Sequence, residues 1–279
     1  MRLLLMLLVA TAVFGNTSCN QKNAENGFIV NTNKAFLDTL FKETIVDTIP
    51  SPIAGVKLYS YSATHIDSTY FINFHKATEK EREEYYGPIS PSEPNSKDIQ
   101  YFQFKDAASG ANWTKINDTL RYLVMGNSSS EKALMYKDSD FIMSIYTESV
   151  SMDLLEWTKD YISISQNTGG YYGGAHGLYG SSYYTFDIKS GERLSYADLV
   201  SNESLPKLSA LVQQNYEKLF GKAYLEFSDK FELPNSFAFT KEGLKFLYNP
   251  YEMGTYADGL REVTVSYSAL KGIIKTAYK

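Results

Sequence analysis

Three histidines, one cysteine and a glycine–tyrosine run are the parts of this 279-residue chain whose side chains bear most directly on chemistry. Zinc takes three or four nitrogen, sulfur or carboxylate ligands in a compact set. His65 and His75 stand in strand-like segments without a local pairing motif and are expected on a sheet surface, and the cysteine, Cys19, belongs to a leader. No acidic, glycine-centred calcium loop occurs. There is no Gly-x-Ser-x-Gly elbow for a nucleophilic serine. His176 precedes Ser181 and Ser182 closely, but sequence proximity alone does not make a catalytic pair. The chain has no Walker loop, and its glycines do not fit a dinucleotide fingerprint. Neither a metal nor a cofactor is expected. With 32 acidic residues, two carboxylates meeting in space for glycoside hydrolysis stays open, because that chemistry needs only proximity.

The least generic segment is Gly169-Gly170-Tyr171-Tyr172-Gly173-Gly174-Ala175-His176-Gly177, inside a glycine-rich loop expected from Gly169 to Gly180. Such glycine density costs backbone entropy, so it implies positive φ angles or close backbone approach. Either it is a tight strand connection with a locally bonded His176, or it is an exposed loop offering Tyr171, Tyr172 and Tyr179 to a partner. A second cluster, Tyr248-Asn249-Pro250-Tyr251-Glu252-Met253-Gly254-Thr255-Tyr256-Ala257-Asp258-Gly259, has the same two readings: a loop packed by its own tyrosines, or a binding loop. The candidate contact residues are Tyr171, Tyr172, Gly173, Gly174, His176, Tyr179, Tyr251, Glu252, Tyr256 and Asp258.

Several of these residues carry a family resemblance. Tyr172-Gly173-Gly174-Ala175-His176-Gly177, Thr185-Phe186-Asp187-Ile188 with Gly191, and Asp198-Leu199 resemble the extracellular C-terminal domain of RsiV-type anti-sigma factors. Phe239-Thr240-Lys241-Glu242-Gly243-Leu244, Asn249-Pro250-Tyr251-Glu252 and Tyr267-Ser268-Ala269-Leu270 continue that pattern in order. The resemblance covers roughly residues 150–275. It is to a domain of unknown function also found on peptidoglycan deacetylases of the PdaC type. It implies an envelope-facing module, which in RsiV-type proteins recognises lysozyme. The chain lacks a cytoplasmic sigma-binding region and an appended deacetylase domain, so only the binding module carries over.

Residues 1–18 have the anatomy of a signal peptide. Arg2 supplies the positive end, Leu3 to Phe14 an uncharged apolar core, and Gly15 to Ser18 the small residues before Cys19. The apolar run is too short to span a bilayer as a helix. Cys19 resembles the acylated cysteine of a bacterial lipobox, with Asn16 where a Leu-like residue is usual. The expected product is a lipoprotein held to a membrane of the cell envelope by acyl chains such as palmitate, facing the periplasm or the surface. Residues 20–26 read as a polar tether. A lone cysteine forms no intramolecular disulfide, so the fold must rest on its core.

The elements that position these loops are mostly strands. Period-two patterns mark Val56 to Tyr61, Tyr70 to Phe74, Tyr101 to Phe104, Leu120 to Met125, Phe141 to Thr147, Ile162 to Ile164 and Tyr184 to Ile188. Glu79 to Glu84 suits one or two helical turns. Leu205, Leu208, Val212, Tyr216 and Leu219 recur at helical spacing, with Pro206 in the first turn and Gly221 at the end. Phe237 to Phe239 and Leu244 to Tyr248 read as a hairpin, followed by a strand at Val263 to Val265. The expected class is α+β, antiparallel sheets with few helices. A strand-rich region over 27–149 is expected to precede the RsiV C-terminal-like domain at 150–279.

The formal charge of −5 becomes about −6 once the leader, with Arg2 as its one charge, is removed. This opposes nucleic-acid binding, which needs clustered cations. The 23 tyrosines suit half-buried strand faces first and ligand contacts second. The expected function is a non-enzymatic envelope lipoprotein that binds an envelope protein, a lysozyme-like protein or cell-wall peptidoglycan. An enzyme acting on cell-wall polymer and a purely structural envelope component are the alternatives.

Overall fold

A computed structural model describes residues 43–67, 72, 75–86, 93–105, 113–125, 147–171, 175–222, 224 and 230–275. The leader, Cys19, the tether, Tyr70, Phe74, residues 141–146 and Tyr172, Gly173 and Gly174 lie outside them.

Alternating apolar and polar side chains dominate, and strands follow. The strands β1 (Thr44–Ile49), β2 (Lys57–Asp67), β3 (Asn95–Lys105), β4 (Thr147–Trp157), β5 (Tyr161–Tyr171) and β6 (Leu178–Asp187) form one sheet in chain order. Every neighbouring pair is antiparallel except β3–β4. A parallel pair cannot be joined by a tight turn. The connection here carries the helix α2 (Trp113–Met125), after a short α1 (Glu79–Glu81) capped by Thr78 between β2 and β3. Trp113, Ile116, Leu120 and Val124 are buried at helical spacing and meet a sheet face that includes Ile99, Tyr101, Val150 and Met152. The strand expected at Leu120 to Met125 is therefore the last part of a helix. Six residues were too few to separate the two periods, whereas the run from Trp113 fits only the helical one. Ile72, expected in a strand, has helical backbone and is exposed. His75 is helical too, and its carbonyl accepts from Arg82 Nη2.

A second layer follows: α3 (Tyr196–Leu199), α4 (Leu205–Phe220) and a three-stranded antiparallel sheet of β7 (Phe237–Phe239), β8 (Gly243–Tyr248) and β9 (Arg261–Ser266). Pro206 in the first turn and Gly221 at the C-cap bound α4 as the sequence predicts. Its Leu208, Val212 and Tyr216 are fully buried with Phe239, Leu244, Phe246 and Val263. The class is mixed α+β with a mostly antiparallel sheet and few helices.

Position 150 lies within β4, and the six-stranded sheet runs across it without a break. The two hydrophobic clusters divide later in the chain, with the second drawing mostly on residues after Leu194.

Side chains that imitate a strand close the open ladder positions. Ser181 N donates to Asn249 Oδ1 at 2.7 Å, and Asn249 Nδ2 donates to Ser181 O at 3.0 Å. Two residues along β6, Tyr183 N donates to Ser236 Oγ, which donates to Tyr183 O. On β3, Phe104 N and O are met by the carboxamide of Asn117 from α2, at 2.7 and 2.8 Å. A carboxamide carries one acceptor beside its donors, as a peptide unit does, so it can replace a neighbouring strand. At β6 these bonds join the large sheet to the start of the second loop at Asn249 and to Ser236, just before β7.

Candidate functional site

Gly169 and Gly170, expected in a loop, extend β5, and Leu178 to Gly180 begin β6. The long β5–β6 hairpin therefore carries only a short connection at its tip. At this end the strands approach closely: a Cβ on Gly177 would stand 2.8 Å from the Gly170 carbonyl oxygen. Glycine at 177 is a steric requirement. Tyr171 ends β5 and is 36% exposed, and His176 lies exposed before β6.

The second loop leaves β8 at Asn249 and returns to β9 at Arg261. Asn249 and Pro250 open a turn in which Glu252 N donates to Asn249 O, while Tyr251 N donates to Gly254 O. Thr255 then caps a single 3-10 turn, Tyr256–Asp258, with its N and Oγ1 both donating to Asp258 Oδ2. Arg261 reaches back beneath the loop. Its Nη1 donates to Met253 O and Tyr216 Oη, its Nη2 pairs with Asp258 at 2.9 Å, and Tyr216 Oη donates to Met253 O. A Cβ on Gly254 would meet the guanidinium carbon at 2.8 Å, so any larger residue there would displace the Arg261 side chain from its present contacts.

The two loops meet. Tyr256 Oη donates to the Gly177 carbonyl at 2.9 Å, and Tyr179 Oη donates to the Tyr256 carbonyl at 3.4 Å. The His176 ring lies 4.4 Å from that of Tyr256, Tyr179 meets Tyr256 edge-on at 5.1 Å, and the Tyr251 ring lies 6.0 Å from that of Tyr256. Tyr256 and Tyr179 are half-buried, His176 is exposed, and Tyr251 is 58% exposed. His176 Nδ1 lies 2.7 Å from Gly177 O, which makes it the protonated nitrogen of that contact. Four of the ten candidate contacts, His176, Tyr179, Tyr251 and Tyr256, thus form one cluster, while Tyr172, Gly173 and Gly174 fall outside the described residues.

The two loop carboxylates are held in different ways. Asp258 sits below the usual carboxylate range because of the Thr255 hydroxyl first, the Thr255 N–H next, and Arg261. Glu252 accepts from Asn249 N at 2.7 Å, but desolvation at its carboxylate pushes it upward, although the residue as a whole is exposed. Ser181 Oγ donates to Asn167 Oδ1, and the bond given to His176 is to Gly177, so the His176–Ser181 pairing considered from sequence does not form. Among the described residues no group of three or more His, Cys, Asp or Glu side chains is placed to hold a metal ion, and no helix is long and apolar enough to cross a membrane. Arg261 and the edge-closing side chain of Asn249 are the positioning residues that sequence reasoning missed. Only Gly254 hinted at an underlying bulky group.

Residues 197–268 match the family described as "Protein of unknown function (DUF3298)". That span coincides with the second layer and its loop. No curated protein matches the chain. Two crystal structures of DUF3298 family proteins are similar to it. One, from Pseudomonas aeruginosa PAO1, has 14% identity and a TM-score of 0.59. The other, from Bacteroides fragilis NCTC 9343, has 15% identity and a TM-score of 0.56. Each alignment covers 82% of this chain and 96% of the other. At such identities the likeness is one of fold.

Proposed function

We propose that this chain is a non-enzymatic lipoprotein of the cell envelope, anchored through Cys19, whose two converging loops bind an envelope macromolecule: an envelope protein, a lysozyme-like protein or a cell-wall glycan. The observation that carries this reading is the convergence itself. Loops some 79 residues apart bring His176, Tyr179, Tyr251 and Tyr256 together at the surface. Each loop is fixed by glycine contacts, turn bonds or a capping box. Tyrosines held this way offer contact area at low ordering cost. The resemblance of residues 150–275 to the lysozyme-recognising RsiV-type domain supports the same kind of role.

The test measures binding of the purified chain to lysozyme and to insoluble peptidoglycan at two ionic strengths. Tyr171→Ala, Tyr179→Ala and Tyr256→Ala are then compared after each is verified as folded. A hot spot among them loses on the order of 2 kcal/mol. Association with a basic protein slows as salt rises, because the chain is acidic. Binding to neither probe refutes these partners, and binding unaffected by every folded variant places the contact elsewhere.

A further inference from the structure

Asn249 and Ser236 meet open ladder positions on β6, whereas the opposite edge of the large sheet is left to β1. Thr44 to Thr48 are all exposed, so neither face of this strand is covered. Ile45 and Val46 are thereby adjacent aliphatic side chains in solvent, Val46 at 53% exposure. Thr44 stands opposite Ser62, so β2 runs on past the start of β1, and its overhang carries Ile66, 61% exposed. Ile72, also exposed, follows soon after β2 ends. Elsewhere among the described residues, the exposed branched aliphatic side chains are Leu219 and Leu260. Such residues are ordinarily scattered singly, and a gathering of them at one end of one edge marks a contact surface.

Two further features bear on the occupant. The chain enters β1 at this same end, 25 residues after Cys19, the proposed anchor. The strand is also bulged: its pairing with β2 slips between Ile45 and Asp47, and a bulge turns an edge away from strand addition. Pro50, which has no N–H to donate, follows directly. An aliphatic edge unsuited to another strand, beside the segment that leads to the anchor, fits the acyl region of a bilayer. The local charge agrees. Glu43 pairs with Arg121 at 3.2 Å and accepts from Tyr101 Oη at 2.7 Å, and β1 itself carries one charged residue, Asp47. With no lysine or arginine on the strand, the attraction is apolar burial and not charge on the headgroups.

We propose that Ile45, Val46 and Ile66 form an apolar rim that dips into the lipid surface to which the chain is anchored. This contact rests on the anchor proposed above and adds to it which end of the large sheet lies on the bilayer. Three aliphatic side chains hold a bilayer too weakly to recruit a free protein. The rim therefore engages only when the anchor supplies a local concentration of about millimolar.

The experiment imposes the anchor chemically. Cys19 is the only cysteine, so the purified chain beginning there is coupled through its thiol to a maleimide lipid in phosphatidylcholine vesicles. Trp113 and Trp157 are buried, so a tryptophan introduced on the surface reports contact with brominated acyl chains. After each variant is verified as folded, Val46→Trp and Ile66→Trp are expected to be quenched several-fold more than Leu219→Trp and Leu260→Trp. Quenching of Ile66→Trp falls to the Leu219→Trp level when Ile45→Ser and Val46→Ser are added, and it persists in raised salt. Uncoupled protein shows only background quenching in every variant. Equal quenching at all four positions overturns the inference, as does stronger quenching of Leu260→Trp or loss of the signal in salt. Dimers in solution that Val46→Ser dissociates would give the edge to a second copy and overturn it too. Because the lipid is attached chemically, these outcomes do not depend on whether cells acylate Cys19, which fatty-acid labelling tests separately.

Discussion

At the scale of single residues, Arg261 and Asp258 make the second loop a defined object. Arg261 is 8% exposed, and a buried guanidinium is tolerated only when its donors are satisfied. Asp258, Tyr216 and the Met253 carbonyl provide that satisfaction. Asp258 also closes the Thr255 cap, so one carboxylate serves two local structures. Because the Thr255 hydroxyl and N–H bonds, with Arg261, lower its folded-state pKa, its stabilising contribution is complete above its unfolded value, about 4. It is lost as pH falls through the lower folded-state value. We therefore expect Asp258→Asn to be less stable than the wild type at pH 7, and the gap to narrow below pH of about 4. Urea unfolding of both proteins across that range checks the prediction, and a gap independent of pH would refute it.

At the scale of elements, the joint between the large sheet and the second loop depends on Asn249. Its carboxamide pairs with both backbone groups of Ser181, and its own N–H donates to Glu252. Asn249→Ala leaves an N–H and a C=O of β6 without partners in a part-buried place. Each unsatisfied group costs about 1–3 kcal/mol when water cannot reach it, so a loss of about 2–4 kcal/mol is expected. Asn249→Asp keeps an acceptor for Ser181 N but, when ionised, offers no donor to Ser181 O; protonated, it regains one through its carboxyl O–H. Its loss should fall between wild type and alanine at a pH where the aspartate is protonated. Chemical denaturation of the three proteins measures this order, and an alanine variant as stable as wild type would remove Asn249 from the joint.

For the whole molecule, the relevant quantity is how the proposed binding surface is presented. The leader pattern ending at Cys19 is the basis of the proposed membrane anchor, and the acidic balance favours approach of basic partners. If the anchor operates, wild-type protein partitions with membranes, while Cys19→Ser yields soluble folded protein or unprocessed precursor. Metabolic labelling with a fatty-acid analogue, followed by fractionation, distinguishes these results. Identical soluble, unlabelled material from both proteins would dismiss the anchor.

What the sequence determined by itself was local. The helical recurrence from Leu205 to Tyr216, its proline and glycine limits, and the alternation in β7 and β8 each depend on neighbours a few residues away. A correct reading therefore needed no tertiary knowledge. The same local logic failed at Leu120 to Met125, where a short apolar run satisfies two periods and only the longer pattern from Trp113, whose buried face joins the cluster of Ile99 and Val150, separates them. The unusual glycines and tyrosines were visible as candidates, but whether they were architecture or surface was not. Tertiary structure decided that both apply: Gly177 and Gly254 permit close packing, while Tyr251 and His176 remain exposed above them. It also brought Tyr256 to Gly177 and buried Arg261 beneath Gly254. Contacts between residues distant in the chain leave no period in the sequence, because their geometry is fixed by the packing of whole sheets and helices.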